Sequence, residues 1–298
     1  MTFKQLMALL VLGALWGGSY LLIRVAVPAF GPIGLMAARV SIAAVLLWVG
    51  FRITGRRADG LAANWKRILV IGATNSAIPF TLIAMAEVHV SASLAAVVGA
   101  TVPLFGVLVG ALWLRQPVGA RRAAGLVLGV AGVAMLVGWG PGALTRDTMV
   151  SLGALLLSSA SYGFSGVFAK HKLSHIPSAS IALGQQLGAA AWLIIPALFN
   201  PPALPIAVNA LWAVAALAAL CTSLAFLIFF YLVSEVGAVR AQTVTYLIPV
   251  FGMAWGAIFL NEPITGGMVA GFSVILASVL LVNGVTLSVA GFRATRTP

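Results

Sequence analysis

The stretch VPLFGVLVGALWLRQP at residues 102–117 returns 146 positions later as IPVFGMAWGAIFLNEP at residues 248–263. Aligned without a gap, Pro103, Phe105, Gly106, Gly110, Ala111, Leu114 and Pro117 recur as Pro249, Phe251, Gly252, Gly256, Ala257, Leu260 and Pro263. Seven identities in sixteen positions are hard to obtain by chance, and the register continues through Ala124, Gly125 and Ala131, which recur as Ala270, Gly271 and Ala277. The chain is internally duplicated. Repeats of this size are a feature of many secondary transporter folds.

The duplicated stretch sits in a chain that is 62% hydrophobic and 7% charged. Its apolar runs are about twenty residues long, the length a helix needs to cross roughly 30 Å of hydrocarbon. Ten spans are predicted, at residues 4–27, 32–53, 67–87, 91–114, 120–138, 149–170, 178–199, 208–233, 238–260 and 266–290. The fold class expected is therefore an all-α polytopic membrane protein, with two five-helix repeats, 1–140 and 141–298, forming one integrated transmembrane domain.

A net charge of +12 would point to nucleic acid in a soluble chain. Here its placement matters more than its sum. With the N-terminus in the cytoplasm, fourteen of the seventeen Lys and Arg fall on the cytoplasmic side, the exceptions being Arg24, Arg39 and Arg146. That bias is the positive-inside rule, so both termini are expected in the cytoplasm and no nucleic-acid partner is expected. Because each repeat has an odd number of spans, the second must be inserted upside down relative to the first. Leu6 to Leu15 resembles the apolar part of a secretory signal, but the apolar character runs on to Val27 with no small-residue cleavage pattern. One cysteine, Cys221, excludes an intrachain disulfide. Neither a cofactor nor a metal site is expected, and the setting expected is a bacterial cytoplasmic membrane.

A polar residue at bilayer depth needs a partner or water, so such residues are the candidate site. In span one, Trp16, Ser19, Tyr20 and Ile23 align at an offset of 142 with Ser158, Ser161, Tyr162 and Ser165 of span six, each set on one helical face. The aromatic residues are expected on a cavity wall; the serines serve either there or as interhelical glue. In span nine, Gln242, Thr245 and Tyr246 precede Pro249, where span four has Ala96, Gly99 and Ala100 before Pro103. Each proline removes a helix hydrogen bond and frees the carbonyl four residues back, Gly99 or Thr245. Pro103 and Pro249, with Pro79 in span three, are hinge candidates; the alternative is a static kink.

Asn75 and Ser76 of span three, with Ser223 of span eight, lie towards the midplane, as substrate contacts or satisfied interhelical groups. Arg39 lies roughly 10 Å along its helix from Pro32. It can pair with a substrate carboxylate, cap a neighbouring helix or make a fixed polar contact. All five acids, Asp59, Glu87, Asp147, Glu235 and Glu262, fall at helix ends or in loops, so an intramembrane carboxylate relay is not expected. Glu262, just before Pro263, is expected to serve span ten as N-cap or dipole partner. The small-xxx-small pairs Gly106/Gly110, Gly125/Gly129, Gly252/Gly256 and Gly267/Gly271 indicate internal packing, compatible with a monomer.

Trp16 to Ser19 (Trp-Gly-Gly-Ser), Arg39, and the Pro-centred helices ending in Leu-Arg-Gln-Pro (114–117) and Leu-Asn-Glu-Pro (260–263) resemble the EamA-type branch of the drug/metabolite transporter superfamily. That resemblance implies ten helices in two repeats. It also implies export of amino acids and related metabolites, with aromatic amino-acid exporters of the inner membrane the nearest in kind. The family's acid before the final segment is kept by Glu262 and lost at Gln116. A cavity lined by Trp16, Tyr20, Tyr162, Tyr246 and Trp255 suits an amphipathic small-molecule substrate. It lacks the basic cluster that phosphate esters require. The alternatives are a multidrug or other metabolite carrier of the same fold, a channel, and an intramembrane serine hydrolase. The last is spelled by Gly163-Phe-Ser-Gly166 around Ser165, but no histidine lies inside a later span to serve as its base.

Overall fold

The computed structural model describes residues 1–138, 145–202 and 204–283, and among them every regular element is helical. The boundary expected at 140/141, the end of the tenth predicted span, and Arg293 and Arg296 lie outside the described residues.

The first helix, α1 (Phe3–Ile53), opens on a capping box between Thr2 and Gln5 and carries 51 residues. As a straight rod it would be roughly 76 Å long, more than twice the hydrocarbon thickness. It is broken at Gly31, whose φ of 65° and ψ of 162° fall between Pro28 and Pro32. A positive φ suits glycine, and Pro32 disfavours a helical residue before it. The break separates the first two predicted spans.

The remaining helices are α2 (Trp65–Gly72), α3 (Ile78–Ala86), α4 (Ala92–Gly99), α5 (Val102–Leu114), α6 (Ala120–Gly138), α7 (Arg146–Lys172), α8 (Ser178–Leu198), α9 (Val208–Ala218), α10 (Ala225–Val236), α11 (Ala238–Ala241), α12 (Val244–Leu260) and α13 (Gly266–Asn283). Seven helical stretches are long and apolar enough to cross a membrane, and this is an integral membrane protein. The helix α12 is shorter, at 17 residues.

Local structure repeats at the spacing of the sequence duplication. A π-turn, Ala73–Ala77, joins α2 to α3, and a second, Ala219–Leu224, joins α9 to α10, each beginning at the matched position. The duplicated stretches end alike: Arg115 and Asn261 adopt left-handed φ values of 51° and 53°. The next amides, of Gln116 and Glu262, donate to Gly110 O and Gly256 O at 3.2 and 3.1 Å. These bonds occupy carbonyls that a helix end leaves free.

The packing is reciprocal. A Cβ placed on Gly17 of α1 would lie 2.7 Å from the Cβ of Phe251 and 2.8 Å from the nitrogen of Gly252, on α12. One placed on Gly163 of α7 would lie 2.8 Å from the Cβ of Phe105 and 2.7 Å from the nitrogen of Gly106, on α5. Gly163 matches Gly17, and Phe105-Gly106 match Phe251-Gly252, so each half grips the other through the same pair of surfaces. The α6–α13 contact does the same: Gly125 meets Ser278, which donates to Gly125 O at 2.6 Å, while Gly271 meets the carbonyl of Gly132, the match of Ser278. Gly125, Gly252 and Gly271 thus serve internal packing, as their spacing predicts.

This packing corrects the 142-residue alignment of spans one and six by one helical turn. At 146, Trp16 matches Tyr162 and Ser19 matches Ser165. The predicted kink at Pro103 is also corrected. The span breaks two residues earlier, at Ala100–Thr101, and Pro103 sits in the first turn of α5, where an amide hydrogen has no intrahelical role. The freed carbonyl expected at Gly99 therefore belongs to a helix end. Pro249 does lie inside α12, while the break in that span falls at Gln242–Thr243.

Candidate functional site

A cavity of about 740 Å³ lies between the halves. Tyr20 and Arg39 both line it, although on an unbroken helix they would stand roughly 28 Å apart, so the Gly31 break is what brings them together. Of the predicted residues, Trp16, Ser19, Tyr20, Arg39, Asn75, Ser158, Tyr162, Gln242, Thr245 and Tyr246 line the cavity, as do Pro103 and Pro249. The cavity reaches the end of the bundle marked by Lys170, Thr243 and Asn283.

Arg39 is 3% exposed. Its Nε donates to Thr222 Oγ1 at 3.0 Å, and its guanidinium lies 3.9 Å from the centre of the Phe80 ring. The Thr222 hydroxyl in turn donates to Leu217 O at 2.8 Å, a carbonyl five residues back in the second π-turn region. Arg39 makes a fixed polar contact, and no carboxylate pairs with it among the described residues. A stacked, once-bonded guanidinium facing a cavity keeps donors for a planar anion.

The matched position in the other half is Gln185, and it too engages a π-turn. Asn75 Nδ2 donates to Gln185 Oε1 at 2.8 Å, and Ser165 Oγ donates to Asn75 Oδ1 at 2.6 Å. This chain of amides and hydroxyl lines a side pocket of about 230 Å³ floored by Phe226, Phe229 and Phe230. Ser165 also donates to Tyr162 O at 2.9 Å, so an amide oxygen and a backbone carbonyl hold its hydroxyl.

The aromatic wall is built by contact between elements. Trp16 packs against Phe226 and Phe229, with ring centres 6.1 and 5.5 Å away, and Tyr162 lies 6.3 Å from Phe80. Tyr246 Oη accepts from Asn283 Nδ2 at 2.9 Å. The Tyr20 hydroxyl fills the space that a side chain at Gly99 would need, 2.7 Å from its Cβ position.

Several predicted residues are elsewhere. Ser161 donates to Thr74 O in the first π-turn at 2.7 Å, and Ser223 donates to Ala218 O at 2.9 Å. Ser161 thereby bridges two helices, while this bond of Ser223 lies within its own helical segment. Ser76 is buried with no partner for its hydroxyl among the described residues, and the Pro79 carbonyl accepts from Ser158 at 3.2 Å. Trp255 donates to Ala14 O at 3.0 Å, away from the cavity. Glu262 does not cap span ten. Its Oε1 accepts from Ala92 N at 2.8 Å, and its Oε2 accepts from Ser93 N and Oγ at 2.9 and 2.6 Å, so it caps α4 in the other half. Phe80, Phe226 and Phe229 are wall residues that the hydropathy pattern hid, while Ser165, already on the predicted face of span six, also lines the cavity and matches Ser19 in the 146-residue register.

A helical membrane bundle enclosing a cavity of solute size, with a buried arginine and a ring of hydroxyls and aromatics on its wall, is the arrangement of a small-solute carrier. The chain belongs to the EamA-like transporter family, whose sequence profile matches it twice, over residues 4–138 and 149–284. It is 26% identical over 288 residues to a protein of Streptantibioticus cattleyicolor named as a probable terminal-alkyne amino-acid exporter, covering 95% of each chain. It is 27% identical to YedA, an uncharacterized inner membrane transporter of Escherichia coli, over 95% of this chain and 93% of that one. Protein PecM of Dickeya dadantii is 24% identical over 91% and 90% of the two chains. A crystal structure 18% identical in sequence shares the fold at a TM-score of 0.65, covering 94% of this chain and 96% of that one. The protein is a membrane transporter of the EamA type.

Proposed function

We propose that this transporter exports or exchanges small amphipathic metabolites, amino acids including aromatic ones foremost, by alternating access without an intramembrane carboxylate relay. The observation that carries this is the setting of Arg39, a cation unneutralised by any carboxylate among the described residues, beside a 740 Å³ cavity walled by Trp16, Tyr20, Tyr162 and Tyr246. A carboxylate can dock on Arg39 while an aromatic or aliphatic group lies along the rings. The similarity to a protein named as an amino-acid exporter supports that solute class. No acid lines the cavity among the described residues, which disfavours cationic drugs as solutes and gives protons no relay through it.

The architecture we infer has ten crossings in two inverted five-helix halves, 1–140 and 141–298. Reading the Gly31 break as a turn between two crossings, and adding α6 and α12 to the seven long apolar stretches, supports that number. The reciprocal packing and matched π-turns support the two-fold relation. Both termini are in the cytoplasm of a bacterial cell, by the positive-inside bias. The cavity then reaches the cytoplasmic end, at Lys170 and Thr243, and the outer end is closed.

The test is solute counterflow. Purified protein in liposomes loaded with unlabelled phenylalanine is expected to take up labelled phenylalanine with saturation and no imposed gradient, and Trp16→Ala or Tyr246→Ala should weaken entry. Entry that does not saturate would mark a channel. No entry with any amino acid loaded would reject that solute class.

A further inference from the structure

Glu87 forms the C-terminal cap position of α3, at the end of the bundle away from the cavity mouth, and is 0% exposed. Neither of its carboxyl oxygens has a hydrogen-bond partner among the described residues. The nearest cation does not answer them: Arg24 of α1 spends its hydrogen bond on the backbone carbonyl of Glu87. Glu262, from the segment after α12, is the acid whose field reaches Glu87, and its two oxygens are already held by Ala92 and Ser93 at the start of α4. The charges of Arg24 and Arg39 on α1 favour the ionised form of Glu87, Tyr20 lies within its field, and His89 stands exposed on the same turn.

An ionised carboxylate in that position would be desolvated, without donors, beside a second negative charge and at the negative end of a helix. Burial, the lack of donors and the charge of Glu262 favour the neutral acid in this closed arrangement, against the pull of Arg24 and Arg39. We propose that Glu87 is a proton-binding site that latches the outer end of the transporter, protonated while Arg24, Glu87 and the Glu262–α4 cap stay packed, and ionised once that end opens to water.

The sign follows from linkage. The closed form binds one more proton than the open form, so acid outside favours closure and rising outer pH favours opening, by up to about tenfold in the closed-to-open ratio per pH unit. Glu87 does not line the cavity, so its proton enters and leaves on one side and none is carried across. The proposal draws on the proposed carrier cycle only for the existence of an outer-open state.

Two measurements on the full chain in liposomes test it. Infrared spectroscopy at neutral pH is expected to show a protonated-carboxyl band that Glu87→Gln removes and His89→Gln keeps; its absence from the unsubstituted protein overturns the proposal without need of any variant. Spin labels at Val88→Cys and Ile264→Cys, both exposed positions flanking the latch, in a Cys221→Ser background, report the opening. Their distance distribution should shift to longer values as pH rises, and Glu87→Gln should hold the short distance throughout. A pH-independent distribution, or a response that follows His89 rather than Glu87, overturns it. Phenylalanine counterflow at one fixed pH tests the carrier function alone, so the two ideas fail separately.

Discussion

Arg39 is held in three ways at once: by Thr222 Oγ1, by the face of Phe80, and by burial. The cation–π contact and the hydrogen bond act on one edge and one face of a planar group, which leaves the other edge for a ligand. Lys cannot reproduce that geometry, because a rotating ammonium neither stacks nor bonds in a fork. Arg39→Lys is therefore expected to weaken phenylalanine counterflow nearly as much as Arg39→Gln. Thr222→Val removes the orienting bond, on the order of 1 kcal/mol, together with the hydroxyl's own bond to Leu217 O, and should raise the half-saturating concentration by roughly fivefold to tenfold while maximal flux stays close to the parent's. Equal maximal and half-saturating values for Arg39→Lys and the parent would show that the cation serves structure alone. Residue chemistry of this kind was partly legible in the sequence, since a lone arginine at depth must have a purpose. The partner was not, because Thr222 is 183 residues away and offers its hydroxyl only through a π-turn that no local residue pattern announces.

At the scale of elements, the same register that exposes the duplication dictates close approach. Gly17 and Gly163 meet backbone atoms of the opposite half at 2.8 and 2.7 Å from their Cβ positions, so an added methyl group has to push a helix away. Overpacking of this sort costs about 1–3 kcal/mol, which outweighs the gain of up to about 1 kcal/mol that alanine brings to a helix interior. Gly106 meets nothing at its own Cβ position. Gly17→Ala and Gly163→Ala should thus lower the thermal unfolding midpoint in detergent by similar amounts, and Gly106→Ala should leave it level or raise it. Unequal losses for the first two would deny that the interfaces are equivalent. The break at Gly31 was legible as the gap between the predicted spans 4–27 and 32–53, as was the internal use of Gly125, Gly252 and Gly271. The partner of Glu262 was not: sequence proximity pointed to span ten, whereas the carboxylate reaches across to the N-terminus of α4, where two backbone amides lie open. Helix ends choose the acid that is near in space.

Across the whole molecule, the two halves match in packing but differ in one element. The first half is broken at Ala100–Thr101, and the matched pair, Tyr246 and Leu247, lies within intact α12. The second half is broken at Gln242–Thr243, and the matched pair, Ala96 and Val97, lies within intact α4. Every segment thus has its alternative conformation already written in the other copy. Under the alternating access proposed above, the return stroke needs no third shape, only a trade: when the outer end opens, the first half takes up the geometry the second now holds, and the reverse. On that basis amide hydrogen exchange in an outer-open form is expected to slow at Ala100 and Thr101 and quicken at Tyr246 and Leu247. Unchanged exchange at both pairs would mean that the asymmetry is fixed in the chain. A gene that doubled once would in this way have supplied, in a single folded protein, a working template for each of its two resting states.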